Sequence, residues 1–277
     1  MTVFFTDLDR TLIYSADALN IQAPEEQPPR LVCVETYKGR PASFVTEVAA
    51  SGIGRLLDAQ ALVPVTTRSL EQYQRICLPG PSPRLALIAN GGRLLRDGKL
   101  DEDYSRATSS LLMRATAVDS VVSHLTSVAD PSFALNVRSV EDLFCYVVVN
   151  RDRVPFSWIA ELVGYASEVG WQVSDQGRKV YLLPNELNKG NATRRVAKEF
   201  GFDGFIAAGD TNADESMLMQ ADHALIPRHA SLASRAPELG ARVTKSAGAA
   251  AGEEVVAWAE AHLLAHSEPE WGIEGVS

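Results

Sequence analysis

A three-layer α/β fold interrupted by a smaller α+β insertion is the architecture the sequence predicts. Three observations lead there. Short apolar runs end abruptly in chemistry-bearing residues: Val3-Phe4-Phe5 before Asp7, Ala61-Leu62-Val63-Pro64-Val65 before Thr66, and Phe205-Ile206-Ala207-Ala208 before Gly209-Asp210. Helix-like segments lie between these runs, as expected of parallel strands that bind ligands at their carboxyl ends. From about Asp101 to Leu183 the texture changes to helices and paired strands without such strand ends, a stretch within the usual domain range. The expected organisation is a discontinuous core, 1–92 and 184–277, with 93–183 inserted.

The opening segment, Val3 to Leu12, organises the rest. Its buried strand is followed by Asp7 and Asp9, which project the same way in an extended chain. Two like charges at a buried strand tip repel, and a cation or a shared proton must offset that repulsion. One carboxylate as nucleophile, the other as proton donor, and a hard divalent cation beside a phosphate is the chemistry that fits.

Composition narrows the partners. The chain has 277 residues, 46% of them hydrophobic, and a net charge of −9. Its mean hydropathy is −0.04 and its pI about 5.1. These values describe a globular protein with ample core and disfavour nucleic acid or an anionic membrane as partner. No secretion-like opening and no apolar run near ~20 residues is present, so a cytoplasmic protein is expected. Cys33, Cys77 and Cys145 share no metal-like spacing and are expected as free buried thiols. No pattern specifies an oligomeric state.

In chain order, Ala23 to Arg30 reads as a loop, and Leu31 to Tyr37 and Ala42 to Thr46 as a hairpin flap over the first strand end. Val45 to Leu57 is a helix candidate broken near Gly52 and Gly54. Leu70 to Cys77 is expected as a helix, and Leu85 to Ala89 as a strand entering an Asn90-Gly91 hairpin turn. Within the insertion, Tyr104 to Ala129 and Phe156 to Val169 are expected as helices. Strands are expected at Phe133–Val137, Phe144–Val149, Trp171–Ser174 and Lys179–Leu183. A helix from Ala192 to Phe200 follows Lys189, then short strands around Ala221–Pro227 and Ala241–Lys245 and a last helix from Gly252 to His262. His262 and His266 have metal-ligand spacing, but a solvated helix face is the reading adopted. Ser267 to Ser277 is expected to fray.

Asp7-Leu8-Asp9-Arg10-Thr11 at a first strand end, and Gly209-Asp210-Thr211-Asn212-Ala213-Asp214 with Met217-Leu218 beyond, resemble the first and fourth motifs of the haloacid dehalogenase (HAD) superfamily. The branch they resemble is the Cof-like, sucrose-phosphatase-like type IIB, whose C2-type cap is inserted between the second and third motifs. Thr66-Thr67-Arg68 is similar to the second motif, with Thr67 replacing the usual Gly. Lys189, before a helix and after Tyr181-Leu182-Leu183-Pro184, is similar to the third; Lys179 is its rival. Arg10 stands where the branch usually has Gly, and Ala213 where it usually has Asn.

The resemblance implies a magnesium-dependent phosphatase of a small phosphorylated metabolite, a sugar phosphate by expectation. Asp7 would attack phosphorus to give an aspartyl-phosphate, and Asp9 would exchange protons with the leaving alcohol and the water. Mg2+ would be held by Asp7, the backbone carbonyl of Asp9 and Asp210, with Asp214 supporting directly or through water. Thr66 and Lys189 would bind the phosphoryl oxygens. Arg68 and Asn90 are candidate substrate contacts, and Arg138, Tyr146 and Arg178 are cap candidates whose ordinary alternative is surface. The alternatives are a phosphomutase of the same fold and a non-catalytic phosphate-ligand binding protein; the latter would be expected to lose Asp7, Asp9 or Lys189.

Overall fold

The computed structural model describes residues 1–21 and 28–264. Most of the loop expected from Ala23, the C-terminal tail and His266 lie outside the described residues. At the centre is a parallel sheet of five strands: β1 (Thr2–Thr6), β5 (Leu62–Pro64), β13 (Gly204–Ala208), β14 (His223–Ile226) and β15 (Ala241–Val243), ordered β15-β14-β13-β1-β5.

The alternation of side chains along these strands builds two separate cores. Val3, Phe5, Val63, Ala207 and Ile226 face one way, packing with Val196 of helix α6 (Lys189–Phe200) and Met217 of α7 (Glu215–Leu218). Phe4, Leu62, Ile206 and Leu225 face the other way. They meet Ile53 and Leu56 of α1 (Glu47–Asp58) and Val255 and Val256 of α8 (Ala249–Leu263). This is the expected three-layer α/β arrangement.

Helix α1 runs without a break through Gly52 and Gly54, against the sequence expectation. Gly52 is there for contact: a Cβ on it would fall 2.4 Å from Cγ1 of Val256, so its bareness lets α8 lie close. Helix α2 (Leu70–Tyr73) is shorter than expected because the chain turns away to bridge the flap, where the Cys77 amide donates to the Val34 carbonyl at 2.7 Å. The flap is a three-stranded sheet of β2 (Tyr14–Ser15), β4 (Arg40–Thr46) and β3 (Leu31–Tyr37), in that order. A small antiparallel sheet of β6 (Leu85–Ile88), β7 (Arg93–Arg96) and β8 (Lys99–Leu100) follows, with Asn90 and Gly91 in the left-handed region at its first turn.

The insertion has a hydrophobic core of its own. Its sheet, ordered β11-β12-β10-β9, is antiparallel and comprises β9 (Ala134–Val140), β10 (Phe144–Val149), β11 (Trp171–Gln176) and β12 (Lys179–Pro184). Val121 and Leu125 of α4 (Val118–Val128) and Trp158, Leu162 and Ala166 of α5 (Phe156–Glu168) pack against it. The single helix expected from Tyr104 to Ala129 is two, α3 (Glu102–Leu112) and α4. The break frees the Thr116 backbone, whose N–H donates to the Val169 carbonyl at 3.2 Å and whose carbonyl accepts Trp171 Nε1–H at 2.9 Å. Leu94 and Tyr104 pack into the core beneath the parallel sheet.

Of the three thiols only Cys145 is buried; Cys33 and Cys77 are exposed, Cys33 because it lies on an edge strand of the thin flap. Among the described residues no helix is long and apolar enough to cross a membrane. The fit of α1 on α8 makes a direct prediction. Gly52→Val should overpack that contact and destabilise the protein by about 1–3 kcal/mol, read as a lower thermal unfolding midpoint. An unchanged midpoint would show that the helices can separate at no cost.

Candidate active site

The site is assembled at the carboxyl ends of β1 and β13. These strands are parallel neighbours with Thr6 opposite Ala208, and the Asp7 N–H donates to the Ala208 carbonyl at 2.9 Å. Asp7 and Asp210 therefore leave adjacent strands side by side. Helix α6 brings the third group. Asn188 caps its start, accepting the Asn191 N–H at 2.8 Å, and Lys189 is its first residue, one turn earlier than the sequence suggested.

Lys189 is 1% exposed and its ammonium lies between two carboxylates, 2.6 Å from Asp7 Oδ1 and 2.5 Å from Asp214 Oδ1. The other oxygen of Asp214 accepts the N–H groups of Asp210 and Thr211 at 3.0 and 2.9 Å. Asp214 thus fixes both the lysine and the loop that carries Asp210. Gly209 serves this packing. Its backbone is not left-handed, but a Cβ on it would meet Cβ of Asp214 at 2.4 Å.

One oxygen from each of Asp7, Asp210 and Asp214 lies within 4.8 Å of the others, all three residues being buried. Among the described residues, the cations paired with these carboxylates are Lys189 and Arg10, whose Nε is 3.3 Å from Asp210 Oδ2. Arg10 adopts a left-handed backbone (φ 65°), which accounts for glycine being usual there. The shortage of positive charge shows in the proton affinities. Burial, with repulsion from Asp214 and Asp9, pushes the Asp7 carboxyl up to about 7 despite Lys189. Burial and the charges of Asp7 and Asp214 likewise hold Asp210 well above the carboxylate range. The lysine stays protonated, because attraction to Asp214 and Asp7 outweighs its desolvation. A cluster of hard oxygen donors short of cations could hold a metal ion.

Asp9 is placed differently from Asp7. Its carboxylate is half exposed and faces Arg68, which donates to it twice at 2.8 and 2.7 Å. Arg68 also pairs with buried Glu35, which is held below its usual range, against its burial, by Arg68, Ser43 and Arg75. Thr66 is fully buried with its hydroxyl accepting the Arg68 N–H at 3.2 Å, while neighbouring Thr67 lines the cavity. That cavity, of about 410 Å³, holds Asp7, Asp9, Arg10, Lys189, Asp210 and, from the inserted sheet, Asp175 and Gly177. Asn90 is outside it: its amide donates to the Leu187 carbonyl at 2.9 Å and borders an adjoining cavity with Asn188 and Asn212.

The structure thus gathers Asp7, Lys189, Asp210 and Asp214, sets Asp9 and Arg68 at the rim, and separates Asn90. Sequence reasoning missed Glu35 and Tyr181 and dismissed Lys179. Glu35 is an acid within an apolar strand, a signal of a buried partner. Lys179 and Tyr181 are two apart on one strand, which places them on one face.

The fold, with its strand-end site, is one shared with solved sugar-phosphatase structures. Among solved structures the chain is similar to the sucrose-phosphatase from Synechocystis sp. PCC6803 in complex with sucrose and phosphate. That likeness has a TM-score of 0.64 and 18% identity, covering 94% of this chain and 98% of the other. It is also similar to a trehalose-6-phosphate phosphatase related protein (TM-score 0.56, 19% identity, 95% and 99% covered). A HAD subclass IIB sugar phosphatase matches with a TM-score of 0.55 at 11% identity, covering 95% and 98%. No protein-family model and no curated protein matches the chain.

The raised acid at Asp7 predicts how metal and pH are linked. Unfolded, this carboxyl ionises near pH ~4. Folded, it keeps its proton up to about 7, so its contribution to metal-free stability is full below ~4 and declines as pH rises towards 7. A divalent cation must displace that proton. Magnesium should therefore raise the thermal midpoint more at about pH 8 than at about pH 6. An equal or larger shift at the lower pH would contradict this ionisation.

Proposed function

We propose that the protein is a magnesium-dependent phosphatase that hydrolyses a phosphate monoester of a small metabolite, a sugar phosphate, through an aspartyl-phosphate on Asp7. The carrying observation is the placement of Asp7: buried, fixed by Lys189 through one oxygen, its other oxygen accepting, among the described residues, only the Thr11 hydroxyl at 3.3 Å. That second oxygen is the nucleophile in this reading, and Asp7 lines the cavity.

Roles follow from position. Asp7 forms a bond to phosphorus as the bond to the leaving alcohol breaks. Asp9, at the cavity rim, gives that oxygen a proton and recovers one from the water that cleaves the acyl phosphate. Reaching inward costs Asp9 its two hydrogen bonds from Arg68. Lys189 offers positive charge to the transferring phosphoryl oxygens from a site closed to water, where it is most effective. The Thr67 hydroxyl, on the cavity wall beyond the end of β5, completes that cradle; Thr66, the residue of the family pattern, is fully buried and supports it through the Arg68 N–H. Asp7, Asp210 and the Asp9 carbonyl would hold magnesium, which would screen the carboxylates from the incoming phosphate. Asp214 positions Lys189 and the Asp210 loop.

The likeness to a sucrose-phosphatase bound to sucrose and phosphate supports a phosphorylated sugar as the substrate class. The inserted sheet supports a small substrate, because Asp175 and Gly177 overhang the phosphoryl site. With p-nitrophenyl phosphate and a panel of sugar phosphates, phosphate release should require magnesium and vanish in Asp7→Asn. Asp9→Asn should lower kcat about 10²–10⁴-fold. Release that survives Asp7→Asn would sink the covalent route.

A further inference from the structure

A second chamber, of about 310 Å³, opens beyond Asp9. Asp9 and Thr67 border both it and the phosphoryl cavity, so the two adjoin. In the proposed reaction the proton donor stands between phosphorus and the departing alcohol. An alcohol leaving past Asp9 enters this chamber.

Its walls are a charge puzzle. Arg68, Arg75 and Lys179 face Asp9 and Glu35, three cations against two carboxylates. Both carboxylates are already satisfied: Asp9 by Arg68, and Glu35 by Arg68, Arg75 and the Ser43 hydroxyl. Lys179 is left over. Its ammonium lies 4.8 Å from the ring centre of Tyr146 and 5.8 Å from that of Tyr181, and among the described residues no carboxylate pairs with it. Burial lowers its proton affinity, and the charges of Arg68 and Arg138 oppose it further, with Asp9 offsetting in part. A partly desolvated ammonium without a counter-ion is unfavourable, and two aromatic faces compensate only in part. The register of the inserted sheet sets Tyr146 opposite Tyr181 and Val148 opposite Lys179, so this surface is built by the strands themselves.

Resting on the phosphatase reading above, we propose that Lys179 binds a second anionic group on the leaving alcohol, with Tyr146 and Tyr181 as the wall for its carbon skeleton. The substrate class is then a phosphate monoester whose alcohol carries a carboxylate or another phosphoryl group. Such a group supplies the counter-ion that Lys179 lacks through a charge-assisted hydrogen bond. A neutral sugar phosphate leaves the ammonium unpaired.

The test uses the intact protein carrying Asp7→Asn, with magnesium, so that ligands bind without turnover. Calorimetric affinities are compared for glucose 6-phosphate, 6-phosphogluconate and fructose 1,6-bisphosphate. At least one of the two probes whose alcohol carries an anionic group should bind roughly tenfold to a hundredfold tighter than glucose 6-phosphate. The tighter of the two tells carboxylate from phosphoryl. Adding Lys179→Met should bring that ratio to about one, whereas Lys179→Arg, which keeps the charge and guards against a folding artefact, should preserve it. Equal affinities for all three probes, or a preference that survives Lys179→Met, overturns the inference while phosphate release by the unmodified enzyme still stands. Absence of binding by all three, together with no release from any monoester, overturns the phosphatase reading and this inference with it.

Discussion

One ammonium between two buried carboxylates holds the site together. Lys189 can stay charged in a dry setting because Asp7 and Asp214 flank it, and each of them tolerates burial because the lysine is there. The rest of the geometry depends on that contact. Asp214 reaches Lys189 with one oxygen and ties down the Asp210 loop with the other, so the lysine links β1, β13 and α6. Removing the ammonium would leave two buried charges uncompensated, a change of the kind that costs several kcal/mol. The arrangement is also short of positive charge, which is how a site can hold a nucleophile in place and still favour a divalent cation.

Around this fixed centre the variable parts are layered. The parallel sheet supplies Asp7 and Asp210, the flap supplies Glu35, and the inserted sheet supplies Tyr146, Lys179 and Tyr181. Arg68 joins these layers, since its guanidinium meets Asp9 from the core and Glu35 from the flap. Asp9, the proposed proton donor, is therefore held by a network that spans core and flap, and in that proposal an arriving substrate competes with Arg68 for it.

The strand-end chemistry was legible in the sequence as apolar runs ending in Asp7 and in Gly209-Asp210, and the motif resemblance joined them; the parallel register of β1 and β13 sets them side by side. Lys189 was legible from its place at a helix start. What escaped was tertiary. No local pattern says that Asp9, two residues from Asp7, pairs at the cavity rim with an arginine 59 positions on. The halving of the helix at Met113–Ala117 depends on Val169 and Trp171, and Gly52 reads as a helix breaker until α8 is beside it. Asn90 matched a family signature, and the structure sets its nitrogen on the Leu187 carbonyl while its buried oxygen has no hydrogen-bond partner among the described residues.

The most direct test of the central claim is to look for the covalent intermediate itself. Unmodified protein is mixed with magnesium and a turned-over phosphate monoester, quenched in acid within one turnover, and digested for mass spectrometry. The account predicts a peptide containing Asp7 heavier by one phosphoryl group, with the label on that residue. Rapid turnover with no phosphoryl on Asp7, at quench times that capture the burst, would mean that water attacks phosphorus directly and that Lys189 does not organise a nucleophile.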